Sequence, residues 1–367
     1  MGYCVLSIEK GGIEMIPVKK ERNSSIELLR IIAMFGVMTL HYNALVGFAF
    51  VEEGSINQYF MYASESLFIC AVDLYIMISS YFLCITTKRK LSKVMELILQ
   101  VIAFKIAFYM VAVIIGEKTF SVRDFLGCLL PANYFVILYC VLYILSPYIN
   151  LLILGLDKKA FTKLLVILLV IFSVWTIVVD FLEVLVGAPA YGLSTVGSYG
   201  SQYGYSIVNF ILIFFVGAYI RKNEISIHKK KILWLMLLVF VLIYCSALAE
   251  HKLGLTKIST WNYNNPLIIL FSALVLLLFL RIKVKSRLIN ELSMGTFTCY
   301  LFHASFIPRL HIDEYVNKPL YILVLHQFIS LTALYLVAYV VHKIYAFISR
   351  SFFTFMAPIL VKVDLSL

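Results

Sequence analysis

Residues 26–48, IELLRIIAMFGVMTLHYNALVGF, decide what kind of protein this is. At 1.5 Å per residue the stretch is long enough to cross a bilayer core, which needs roughly 20 mostly apolar residues. It nevertheless carries Glu27, Arg30 and His41. Ionisable groups at membrane depth are costly, so they are read first as functional. At 100° per residue, Arg30 and His41 fall within about 20° of each other after three turns, and Glu27 lies one turn before Arg30 on nearly the same face. The three therefore form one stripe, with His41 about 16 Å beyond Arg30 along the helix.

Outward from this stretch the pattern repeats. Ten apolar segments are expected to span, at approximately 26–48, 65–85, 94–115, 126–154, 164–182, 206–220, 232–248, 266–280, 294–307 and 320–348. The composition agrees, with 62% hydrophobic and 14% charged residues and a mean hydropathy of +0.95. A soluble domain has roughly 45–50% and 25%. The expected fold class is an all-α, polytopic integral membrane protein with about ten transmembrane helices. Its division is a cytoplasmic N-terminal segment (1–25), a transmembrane domain (26–348) and a cytoplasmic C-terminal tail (349–367). The first 25 residues lack the pattern of a secretory signal, and Met15 is an alternative start.

The net charge of +11 is dispersed in short clusters between apolar segments, which argues against nucleic acid as a partner. With the N-terminus in the cytoplasm, 23 of the 31 Lys and Arg residues fall in inner segments and 6 in outer loops, and the alternation holds at every loop. The positive-inside rule then places both termini in the cytoplasm. The longest outer loop, 183–205, is rich in Gly, Ser and Tyr and is expected to be irregular. Seven cysteines, most of them in or beside apolar segments, form no disulfide framework and no paired metal-site spacing.

Other polar residues fall inside the segments. Asp73 lies about nine residues into the second segment, near the expected depth of His41, and a buried carboxylate needs a partner such as an imidazolium. His303 reaches mid-membrane in the ninth. Lys105, in the third, is expected to pair with a carboxylate. His228 and His342 sit at helix ends, and His326 is read as an interior contact.

Three stretches, in order, resemble the integral membrane acyltransferases known as acyltransferase family three, which O-acylate bacterial surface glycans. RIIAMFGVMTLH (30–41) is similar to the family's Arg, ten residues, His motif. AVDLYIMISSYFL (71–83) resembles its Gly-Val-Asp-Leu-Phe-Phe pattern followed by Ser-Gly-Phe or Ser-Gly-Tyr. MGTFTCYLFH (294–303) resembles its late Tyr-Leu-x-His. YFVILYCVLYILSPYIN (134–150) and FFVGAYIRK (214–222) are weaker echoes. Departures are Ser80 in place of Gly, Tyr75 and Ile76 in place of the paired Phe, Tyr134 in place of Trp, and Lys90 and Lys93 in place of an Arg, two residues, Arg spacing.

The resemblance implies an O-acyltransferase of the bacterial cytoplasmic membrane. It would move an acetyl-type group from cytoplasmic acyl-CoA, most often acetyl-CoA, to a hydroxyl of a surface polysaccharide or its lipid-linked precursor. Arg30, with Arg89, Lys90 and Lys93 after the second segment, is expected to hold the phosphates of coenzyme A. His41 is the expected general base, with Asp73 or Glu27 orienting its ring. His303 and Tyr300 are assigned to acceptor binding. No metal is called for. Partners would be acyl-CoA, a glycan acceptor, the lipid bilayer and separate extracytoplasmic glycan-assembly proteins. The competing reading is a polytopic transporter or flippase for a glycan or small polar solute. Against it, no matched pair of interrupted helices marks an inverted repeat.

Overall fold

Asn23 starts the first membrane helix, its side-chain oxygen accepting hydrogen bonds from the backbone N–H groups of Ser25 and Ile26. The helix runs over Ser24–Tyr42, continues through a π-helical turn at Asn43–Gly47 and ends at Phe50. The π turn begins two residues after His41, where Asn43 is fully buried. Its amide donates to Glu65 at 2.9 Å and to Ser64 at 3.0 Å on the next helix. In apolar surroundings these bonds hold Asn43 at the helix contact.

The computed structural model describes residues 4–9, 12–17, 22–187, 202–254 and 259–361. Each of the ten expected segments contains a helix. Among the described residues, seven helical stretches are long and apolar enough to cross a membrane: Ser24–Phe50, Ile56–Leu83, Leu91–Ile114, Tyr134–Gly155, Lys158–Glu183, Lys229–Lys252 and Leu320–Ser351. The other three segments form shorter helices, Ile207–Asn223, Pro266–Phe279 and Thr296–Phe306. Two of these lie inside the bundle. Phe210, Ile213, Phe214 and Ala218 on one, and Ile268 and Leu276 on the other, are at most 1% exposed. In contrast, Lys229–Lys252 leaves Leu233, Trp234, Leu237 and Leu238 more than half exposed, a face that only lipid would cover.

The second span begins at Ile56, nine residues before the expected start. Ser55 caps it by accepting from the N–H of Gln58, and Asn57 and Gln58 are buried polar residues that hydropathy cannot recognise as helix. Ahead of the first helix, Cys4–Glu9 and Gly12–Pro17 pair as an antiparallel hairpin, an addition to the helical architecture within the expected N-terminal segment. Most of the 183–205 loop, including Ser194, lies outside the described residues.

Helix Ala71–Leu83 packs against Ile207–Asn223 where Gly217 faces Ser80. A Cβ on Gly217 would overlap the Ser80 hydroxyl and come within 2.7 Å of the Met77 carbonyl oxygen. Ser80, the departure from the family's usual Gly, fits because its neighbour has no side chain. Gly217→Ala should therefore destabilise the protein by about 1–3 kcal/mol through overpacking, read as a lower melting temperature in detergent. Adding Ser80→Gly should recover part of the loss, the contact with the Met77 carbonyl remaining, and a double-mutant cycle with no coupling would contradict this contact.

Candidate active site

Five helices enclose a cavity of about 550 Å³, a size typical of small-ligand sites. Arg30 of the first helix, Lys93 of Leu91–Ile114, and Arg22 ahead of the first helix bring positive charge to it. Tyr75, Phe135 and Tyr139 form apolar and aromatic walls, and Val37 and Tyr300 line it farther along. From Arg30 to Val37 the cavity follows the first helix for about 10 Å. Arg30 is held in place. Its Nη1 donates to both carboxylate oxygens of Glu27, at 3.0 and 3.2 Å, and its backbone carbonyl accepts from the Tyr75 hydroxyl at 2.8 Å. The side chain of Arg30 remains 33% exposed, so much of its guanidinium is available to a ligand.

One turn beyond Val37 stands His41. Its Nδ1 lies 2.9 Å from the Val37 carbonyl oxygen and 3.3 Å from Nε2 of His303, and the two rings meet edge to face with centroids 4.6 Å apart. The proton positions follow from the partners. Nδ1 of His303 faces the carbonyl oxygens of Cys299 and Tyr300, at 3.1 and 2.8 Å. Carbonyls only accept, so this nitrogen carries the hydrogen and Nε2 carries the lone pair. That lone pair, together with the Val37 carbonyl, requires a hydrogen on Nδ1 of His41. Nε2 of His41 is left with a lone pair, the form a general base needs. Tyr300 links this pair to the cavity. Its ring is 5.8 Å from that of His303, and its hydroxyl donates to Asn133 at 2.9 Å.

Neither carboxylate considered for the imidazole touches it. Glu27 is bound to Arg30, some 21 Å from His41 along the helix. Asp73 is fully buried, and neither of its oxygens has a hydrogen-bond partner. The group on the His41 ring is His303, which spacing could not reveal because 262 residues separate the two.

The basic cluster after the second span divides. Arg89 is 3% exposed and turns inward. It donates from Nε to Ser146 at 2.7 Å, from Nη1 to Thr86 and to the Lys88 carbonyl, and from Nη2 to the Leu83 carbonyl at 2.8 Å. A guanidinium so engaged ties the loop to helix Tyr134–Gly155 and has few donors left for a phosphate. Lys90 is exposed, stands at the N-cap position of the next helix without a side-chain capping bond and does not line the cavity, whereas Lys93 does line it. The expected carboxylate partner of Lys105 is replaced by the carbonyls of Gly127 and Leu130, at 3.0 and 2.6 Å, at the end of a short helix where a cation is favourable. His326 accepts or donates with the Tyr42 hydroxyl at 2.8 Å and stacks on Tyr315.

Arg22, Tyr75 and Tyr139 are cavity residues that the sequence did not single out. Arg22 counts among the inner topology charges, Tyr75 stands where the family has Phe, and Tyr139 lies within the weaker echo at 134–150. Only the i, i+3 relation of Tyr300 to His303 carried a usable signal.

Apolar helices around a cavity with cationic residues and aromatic walls, one turn short of His41 and the buried His303, define a polytopic membrane protein with an internal site. A family model described as an acyltransferase domain matches residues 23–360, and the chain belongs to this family, acyltransferase family three, whose members are membrane acyltransferases. No curated protein and no solved structure matches it.

Proposed function

We propose that the protein is an O-acyltransferase of the bacterial cytoplasmic membrane, moving an acetyl-type group from cytoplasmic acyl-CoA to a hydroxyl of a cell-surface polysaccharide or its lipid-linked precursor. The observation that carries this reading is the cavity with Arg22, Arg30 and Lys93 toward one end and Tyr300, beside the His41–His303 pair, toward the other. Coenzyme A is a long molecule with phosphates at one end and a thioester at the other. Its phosphates suit Arg30 through charge-assisted bonds, with Lys93 and Arg22 adding positive charge. The thin pantetheine arm suits the aromatic cavity that leads toward mid-membrane.

At the histidine pair the acceptor hydroxyl oxygen attacks the thioester carbonyl carbon while its proton passes to Nε2 of His41. Collapse of the tetrahedral intermediate breaks the C–S bond. The thiolate then takes the proton back, and because a thiol pKa is roughly 8.5 by analogy with Cys, it leaves without a strong acid. The Val37 carbonyl sets the tautomer of His41 and His303 adds a second restraint on its ring, Glu27 positions Arg30, and Tyr300 and His303 face the acceptor. Asp73, whose buried carboxyl has no hydrogen-bond partner among the described residues, stands at the start of helix Ala71–Leu83. Family membership favours this reading over a transporter. O-acyl content of surface glycans, compared in cells with and without the gene, tests it. Loss of acyl groups restored by wild type but not by His41→Ala is expected, and unchanged glycan would refute the proposal.

The orientation is part of the same proposal: ten spans, counting the three shorter helices, with both termini cytoplasmic and separate assembly proteins meeting the product outside. In a background lacking native cysteines, a cysteine at Ser194 should react with an impermeant maleimide on intact cells and one at Ser226 should not. The opposite pattern would invert the topology.

A further inference from the structure

The stretch FFVGAYIRK ends in two cations that the active site does not use. Lys222 is accounted for: its Nζ donates to the carbonyls of Ile153, Leu154 and Leu156 and so closes the end of helix Tyr134–Gly155. Arg221 does something else. It lines a second cavity of about 370 Å³ with Arg281, Tyr81, Glu224 and Ser226, separate in its lining from the one that holds Arg30.

Both guanidiniums are fixed from behind. Arg221 lies over the Tyr81 ring, 5.0 Å from its centroid, and donates to the Tyr81 hydroxyl at 3.1 Å. Arg281 donates to the carbonyls of Leu277 and Ile225, at 3.0 and 2.6 Å. A guanidinium has five N–H donors, so most of the ten in this pair face no acceptor among the described residues. Holding two such groups in place ahead of binding lowers the ordering cost a ligand would meet. Glu224 is the only acidic residue of this lining, which leaves two positive charges against one negative. That balance matches a single phosphodiester.

Location narrows the ligand. Tyr81 is in the last turn of Ala71–Leu83, Arg221 is in the last turn of Ile207–Asn223, and Arg281 follows Pro266–Phe279. Three apolar helices thus end together around the cavity, and the ends of apolar helices are where a bilayer's headgroup layer begins. In the proposed orientation this is the cytoplasmic leaflet, whose anionic lipids attract basic clusters.

We propose that this cavity is a binding site for a phosphate group carried by a phospholipid headgroup, with Arg221 and Arg281 as its ligands. The full chain purified in detergent is titrated with fluorescently labelled phosphatidylglycerol, with inorganic phosphate as competitor. Wild type should bind saturably, and Arg221→Gln with Arg281→Gln should weaken binding at least 10-fold. Ser226→Glu, which keeps both arginines and adds a negative charge to the lining, should weaken it as well and serves where the double variant folds poorly. Displacement by millimolar inorganic phosphate would support the same anion site with a source in solution, while resistance to it would support the lipid. Equal lipid affinity in wild type, the folded double variant and Ser226→Glu would overturn the proposal, whatever becomes of acyl transfer.

Discussion

His41→Ala should leave a protein that inserts, purifies and binds acyl-CoA but transfers acyl groups about 10²- to 10⁴-fold more slowly, the usual worth of general-base catalysis. Among the described residues the imidazole bonds the Val37 carbonyl and His303. Its removal costs a typical buried-site penalty of about 0.5–3 kcal/mol and leaves the cavity around Arg30 intact. His303→Ala should do less. Nδ1 of His41 keeps the Val37 carbonyl at 2.9 Å, so the tautomer survives while the ring loses one of two restraints. A positioning role further predicts that His303→Gln, whose amide oxygen can accept from His41, recovers part of the rate at unchanged donor affinity. Purified variants checked for monodisperse elution and assayed for transfer from acyl-CoA decide the matter. Transfer by His41→Ala within a few-fold of wild type would remove His41 from the chemistry.

Arg30→Ala should weaken donor binding by about 1.5–3 kcal/mol, the worth of a hydrogen bond to a charged group. That is about 10- to 100-fold in the Michaelis constant for acyl-CoA. The effect has two sources. A phosphate contact is lost, and Glu27, whose side chain is 10% exposed, keeps an uncompensated charge that repels the donor. Arg30→Lys retains charge without the planar fork and should fall between. Glu27→Gln in the Arg30→Ala background should restore some affinity by removing the repulsion. Arg89→Ala is the contrasting variant. It breaks bonds to Ser146, Thr86 and Leu83, so it should lower the melting temperature and leave the donor constant of the surviving enzyme nearly unchanged. The same donor constant in Arg30→Ala as in wild type would place coenzyme A elsewhere.

The sequence by itself determined that this is a polytopic helical membrane protein, and it pointed to one end of the proposed site. Each apolar segment answers alone to the cost of leaving backbone and side chains in hydrocarbon, so residues 26–48 announced a span without reference to any other part of the chain. The Glu27, Arg30 and His41 stripe was legible for the same reason, because the pitch of one helix sets it. Ile207–Asn223 and Pro266–Phe279 were found by composition, although burial within the bundle lets them be shorter than a full crossing. What the tertiary structure decided is which polar groups meet. Arg89 and Lys93 are indistinguishable in sequence as cations after the second span. Packing of that loop on helix Tyr134–Gly155 turns one inward to Ser146, and only Lys93 lines the cavity. The partner of His41 was sought among carboxylates of the first two spans and is instead the imidazole of His303. Hydropathy and helical pitch are properties of neighbouring residues, whereas a hydrogen bond across a bundle depends on how several helices cross, and that is set by close contacts such as Gly217 against Ser80.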